Sequence, residues 1–241
     1  MMRFSIVIPT RNRPQFLAAA VDSVLAQSLP PHDVIVVDDG EGAGDALSGR
    51  SDRIVVLDNR QRGPVPARIL GVAHCKADCI AFLDDDDWWT DPRYLETAAR
   101  RFAAGADFCF GDGAMIFEDG RPPLPFAFDA DANSLERDNT ILISAVSYRR
   151  ALHGRLGEFD ETLPYYWDWD WYLRVARSGA VFSRIAEPVV AIRVHTRNMS
   201  GDSLERQRRD NLAALERKHG LAPIPLKNHL DIARFSPGSF A

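Results

Sequence analysis

The chain has 241 residues, enough for one large domain or two small ones and for a sizeable core. Apolar residues make up 46%, charged residues 26%, and the formal net charge is −5, so bulk electrostatics argue against a nucleic-acid partner. No apolar run approaches the roughly 20 residues that span a bilayer, which argues against a transmembrane helix.

The first apolar run, FSIVIPT, is too short for a signal-peptide core and meets Pro9. The expected setting is therefore soluble and cytoplasmic, with peripheral membrane contact left open. Residues 4–8 predict a strand, and Phe16, Leu17, Ala20, Val21, Val24 and Leu25 recur at helical spacing behind an Asn12 cap and Pro14. Residues 33–37 (DVIVV) and 53–57 (RIVVL) predict two more buried strands. A helix over 67–73 follows the breakers Gly63, Pro64 and Pro66. Residues 80–83 form a fourth strand and 93–104 another helix. Continuous apolar strands separated by helices indicate a parallel sheet covered on both faces. Polar clusters follow three of these strands: PTRNR, DDGEG and DDDDWW. Those are the strand ends where open α/β sheets bind ligands.

The second half reads differently. Short strands are expected at 108–110 and 114–117, a proline-rich loop from Pro122 to Asn139, and a strand or strand–helix junction over 141–148. A helix over 169–177 places Trp169, Leu173 and Ala176 on one face, a strand covers 189–194, and a charged helix runs from 204 to 219. That last helix reads as a solvated face or an oligomer contact. Cys75, Cys79 and Cys109 supply neither a disulfide framework nor a second pair of zinc ligands, so they are read as structural or incidental.

Asp84, Asp85, Asp86 and Asp87 stand side by side at the end of the fourth strand. Neighbouring carboxylates repel and raise one another's pKa, so the quartet is either a solvated turn or a compensated site. Asp84 and Asp86 have D-x-D spacing, which offers two oxygen ligands to Mg²⁺ or Mn²⁺ while the cation also bridges a diphosphate.

In order along the chain, FSIVIPTRNR, VIVVDDG, GPVPARILGV, IAFLDDDDWW, GEFDETLPYYWDWDWYLR and IRVHTRNMS resemble the GT-A-fold glycosyltransferases of family 2. The resemblance covers residues 4–200. It implies an α/β fold, a Rossmann-like and mostly parallel sheet flanked by helices, with an irregular acceptor-side half. It implies a single domain over 1–241, divided into a nucleotide-sugar half (1–112), an acceptor and catalytic half (113–200) and a helical extension (201–241). It implies transfer of one sugar from a nucleoside diphosphate, uridine by default, with inversion, to a carbohydrate or lipid-linked acceptor. Pro9, Thr10 and Arg11 would lie beside the base, Asp38 or Asp39 would contact base or ribose, and Arg68 would reach the nucleotide. Asp84 and Asp85 would serve ribose and diphosphate. Asp86 would bind Mn²⁺ or Mg²⁺, and His195 the metal or diphosphate. Asp168 would be the base. Two positions depart from the family pattern: Ile69 replaces Asn after Arg68, and Trp167 replaces Glu before Asp168.

Glycosyl transfer needs a cation on the leaving diphosphate and a carboxylate for the acceptor proton, and the chain has an acidic cluster for each. On a helix Asp168 and Asp170 point about 200° apart, so one faces the acceptor. Asp170 has Arg174 four residues on and reads as an ordinary surface ion pair. Asp168 falls at the helix start, where the dipole favours an ionised carboxylate. All five tryptophans flank the two acidic clusters, and Trp169 is expected in the core with some of the others facing acceptor. The competing readings are another metal-dependent nucleotide enzyme, which lacks its glycine-rich or nucleophilic loop after the first strand, and a non-catalytic nucleotide-sugar-binding homologue.

Overall fold

The computed structural model describes residues 2–195 and 204–236. Four parallel strands open the fold: β1 (Phe4–Thr10), β2 (Asp33–Asp38), β3 (Ile54–Asp58) and β4 (Cys79–Phe82), in the spatial order β3-β2-β1-β4. Their crossovers carry α1 (Pro14–Leu25), α2 (Ala43–Leu47) and α3 (Pro64–His74). Side chains alternate between two cores. Ile6, Ile8, Val34 and Val36 pack into one, and Val7, Ile35, Val37 and Phe82 into the other. That period of two, buried on both faces, is why these strands read as unbroken apolar runs.

The remaining strands extend the sheet in mixed directions: β5 (Trp88–Trp89), β6 (Phe108–Phe117), β7 (Leu124–Phe126), β8 (Val146–Arg149) and β9 (Phe182–Val194). β8 runs antiparallel between β4 and β6, β9 is parallel to β6, and β5 closes the row. The other helices are α4 (Tyr94–Ala103), α5 (Ala132–Leu135), α6 (Ala151–Leu156), α7 (Trp167–Arg177), α8 (Glu205–His219) and α9 (His229–Ala233). A 3-10 turn, Ile143–Ala145, leads into β8.

Several expectations are corrected. β3 is an edge strand, and Val55 and Val56 are exposed rather than buried on both faces. Strands expected at 108–110 and 114–117 are one strand, β6, with register shifts around Asp112. A Cβ on Gly113 would meet Leu142 and Val190, so glycine there permits the close approach of β9. The loop from Pro122 to Asn139 holds β7 and α5. Arg13, not Asn12, is the N-cap of α1. Asn12 takes a left-handed φ of 55°, and its Oδ1 accepts from Glu41 N at 3.0 Å. The TRNMS end of the last motif and the boundary at 200 fall outside the described residues.

Candidate active site

A cavity of about 740 Å³ opens over the C-terminal ends of β1, β2 and β4. Pro9, Thr10, Arg11, Asp39 and Arg68 line it at that end. Asp39 N donates to Thr10 O at 2.8 Å, and the Asp39 carboxylate accepts from Gly63 N at 3.1 Å and from the Asn59 amide. Arg11 is more exposed and approaches Asp39 within 3.9 Å. Asp38 is not among the lining residues. Its two oxygens accept from Gly40 N at 2.9 Å and Ala43 N at 3.1 Å, so it shapes the turn into α2. Of the two aspartates, only Asp39 faces the cavity.

The aspartate quartet is compensated residue by residue. Asp84 pairs with Arg68, whose guanidinium also lies 4.7 Å from the Trp167 ring. Asp85 accepts from Thr10 Oγ1 at 2.7 Å and from Arg13 Nη1 at 3.2 Å. The same Arg13 nitrogen donates to Asp86 Oδ2 at 2.6 Å, and His195 Nε2 lies 3.0 Å from that oxygen. Asp87 accepts from Ser144 Oγ at 2.6 Å and Arg193 N at 3.1 Å. Burial first, and repulsion from Asp86 second, push Asp85 up to about 6 against the pull of Thr10 and Arg13. Burial with the Asp86 and Asp84 charges holds Asp87 well above the usual carboxylate range.

Among the described residues, Asp84, Asp86 and Asp87 each offer an oxygen, all within 4.8 Å of one another. Three carboxylates suit a hard divalent cation, and His195 beside Asp86 adds a nitrogen donor. The residues therefore fit the expected metal. Arg13, Asp87 and Ser144 were missed as parts of this arrangement. Asp87 was legible as the fourth carboxylate, and Arg13 as the second arginine of PTRNR. Ser144 has no local signal, being 57 residues from Asp87.

Asp168 enters the same cavity from the first turn of α7. Asn139 Nδ2 donates to its Oδ2 at 3.0 Å. Burial pushes Asp168 up to about 6, outweighing the Asn139 hydrogen bond, the Trp169 backbone N–H and Arg68. The helix-start environment thus fails to hold this carboxyl low, because desolvation is larger than the dipole's effect. Asp170 corrects a second expectation, for it is fully buried rather than a surface residue. It meets Arg174 Nε at 2.9 Å, Lys218 Nζ at 2.6 Å and His219 Nε2 at 2.8 Å. Burial alone would raise its pKa, but His219, Lys218 and Arg174 together lower it. Trp167 and Trp169 border the cavity, while Trp171 is wholly in the core and the Trp88–Trp89 pair does not reach it. Trp167, at the position of the resemblance's Glu, packs on Phe82 and Phe159.

The glycosyl transferase family 2 profile matches residues 5–149. The chain belongs to glycosyl transferase family 2. It is a glycosyltransferase of the GT-A fold. A relative in Bacillus subtilis (strain 168), the uncharacterized glycosyltransferase YwdF, is 36% identical over 239 residues, spanning 94% of this chain and 88% of its own. A PGL/p-HBAD biosynthesis glycosyltransferase of Mycobacterium bovis (strain BCG / Pasteur 1173P2) is 28% identical over 78% of this chain and 75% of its own. The crystal structure of S. aureus TarS 1-349 in complex with UDP-GlcNAc superposes with a TM-score of 0.70 at 17% identity, over 90% of this chain and 66% of that one. Against the crystal structure of S. aureus TarS with TM-score 0.66, the chain spans only 43% of the other's length.

Proposed function

We propose that this family 2 enzyme transfers a single sugar from a nucleoside-diphosphate sugar, with uridine as the base, to an acceptor hydroxyl, inverting the anomeric centre. The observation that carries the reading is one cavity holding, on separate elements, a compensated carboxylate cluster fit for a cation and a buried carboxyl with a raised pKa. The TarS fragment of the same fold was crystallised with UDP-GlcNAc, which supports a uridine donor. Thr10, Arg11, Asp39 and Arg68 would bind the nucleotide. Asp84, Asp86, Asp87 and His195 would hold Mn²⁺ or Mg²⁺. When bound, such a cation offsets charge on the leaving diphosphate. Asp168, oriented by Asn139, takes the proton from the acceptor hydroxyl, and direct attack then inverts the reacting carbon. The acceptor, a carbohydrate or lipid-linked molecule, would lie between α7 and the C-terminal helices. No helix among the described residues is long and apolar enough to cross a membrane. The reading places the enzyme in the cytoplasm with its donor.

Asp86→Ala should abolish Mn²⁺-dependent binding of UDP in calorimetry while the melting temperature is retained. Unchanged affinity for UDP and Mn²⁺ in the variant would overturn the metal assignment.

A further inference from the structure

Two arginines sit on the aspartate quartet, and they differ in exposure. Arg68 is clamped: it donates to Pro64 O at 3.0 Å, lies over Trp167, and its side chain is 8% exposed. Arg13 is 25% exposed, with one nitrogen bridging Asp85 and Asp86. Its backbone is fixed by Asn12 on one side and Pro14 at the helix start on the other. Its side chain lines the same cavity as the quartet. A divalent cation on Asp86 and a guanidinium hydrogen-bonded to the same carboxylate repel, and at such separations the effect exceeds a tenfold change in affinity. Cation and Arg13 therefore compete for Asp86.

Resting on the metal reading above, we propose that Arg13 is a displaceable counter-ion: it neutralises Asp85 and Asp86 in the empty enzyme, and moves to the diphosphate when the cation enters with the donor. The guanidinium fork matches phosphate oxygens as well as carboxylate ones, so Arg13 stays paired after the exchange, and Asp85 keeps its hydrogen bond from Thr10. Asp86 then has one cationic partner in each state. Metal alone must displace Arg13 without offering it a new anion, so it binds weakly. Nucleoside diphosphate supplies that anion, and by reciprocity each ligand strengthens the other. Arg13 acts here as a positioning residue that couples the two ligands, and it disfavours capture of a cation without donor.

The test is calorimetric titration of Mn²⁺ into the full chain, with and without saturating UDP, for wild type, Arg13→Gln and Arg13→Lys. Arg13→Gln should bind Mn²⁺ alone roughly tenfold or more tightly than wild type. UDP should then improve Mn²⁺ affinity by a smaller factor in Arg13→Gln than in wild type. Arg13→Lys keeps the charge and should stay near wild type for Mn²⁺ alone. A static Arg13 charge would also tighten Mn²⁺ binding when removed, but it would leave the UDP effect unchanged, so equal UDP enhancement in Arg13→Gln and wild type overturns the proposal. Equal or weaker Mn²⁺ affinity in Arg13→Gln overturns the proposal while leaving the metal site standing. Should the variants not fold, wild type still decides: Mn²⁺ binding as tight without UDP as with it overturns the coupling. Wild type that binds no Mn²⁺ even with UDP removes the metal reading itself, and the proposal with it.

Discussion

Asp168, the proposed base, also carries a stability cost. Its pKa stands at about 6 in the fold against an ordinary 3.8, because burial disfavours the charge. Such a group holds its proton more tightly folded than unfolded. Its contribution to stability is complete below the unfolded value and is lost as pH rises through about 6. Above that, the ionised carboxylate costs on the order of 3 kcal/mol. Asp168→Asn, whose amide oxygen can still accept from Asn139, should therefore raise the melting temperature, with the gain growing between about pH 4 and pH 6 and levelling off above. The same variant should lose roughly 10²–10⁴-fold in kcat with donor affinity retained. In the wild type, kcat/KM should fall as pH drops below about 6, where the proposed base becomes protonated. A variant that is less stable at neutral pH, or fully active, would contradict the assignment. The residue types at the site were legible because DDDD and WDWD are unusual strings. Their partners were not: Asn139 lies 29 residues from Asp168, and nothing near it in sequence marks it.

At the scale of elements, α7 and α8 are tied by a buried ionic network around Asp170. Asp170 offers its two oxygens to Arg174, Lys218 and His219, and Lys218 also reaches Asp160 at 2.7 Å. Taking the charge from a buried, multiply paired carboxylate leaves its cations uncompensated. Asp170→Asn should lower the unfolding free energy by about 3 kcal/mol, measured by urea denaturation, well beyond the few tenths expected of a surface pair. Because its pKa is depressed, this carboxylate's stabilisation is present above the ordinary carboxylate range and is lost as pH falls through the folded value. A near-neutral Asp170→Asn would show that the network is solvated. The spacing of Asp170 and Arg174 was visible in the sequence. Lys218 and His219, nearly fifty residues away, turned that local pair into the joint between two helices.

For the whole molecule, the notable feature is how the last helices join the fold. α8 and α9 lie beyond the residues matched by the family profile, yet Leu212, Leu230 and Ile232 line the cavity. Leu215 is fully buried in the core under α7. Leu215→Ala should cost about 2–5 kcal/mol, the usual range for a buried leucine. UDP affinity should be unchanged in calorimetry, since the proposed nucleotide end is built by β1, β2 and β4. A variant as stable as wild type would mean that α8 is a dispensable appendage instead of part of one cooperative domain.

The sequence by itself determined the parallel half of the sheet, because strands buried on both faces must be continuously apolar and their polar ends must carry the site. It also singled out Asp84, Asp85, Asp86, Asp168 and His195 as candidates, through residue type and order, and the fold brings these five to one cavity. Tertiary structure decided the rest. It separated Asp39, facing the cavity, from Asp38, which shapes a turn. It buried Asp170 under a helix that spacing alone could not bring there. It set Arg13 on the same carboxylate oxygen as His195, a contact across 73 residues on one side and 109 on the other. Local patterns report which face of an element is buried. Which charge meets which depends on how distant elements pack, and no local pattern encodes that.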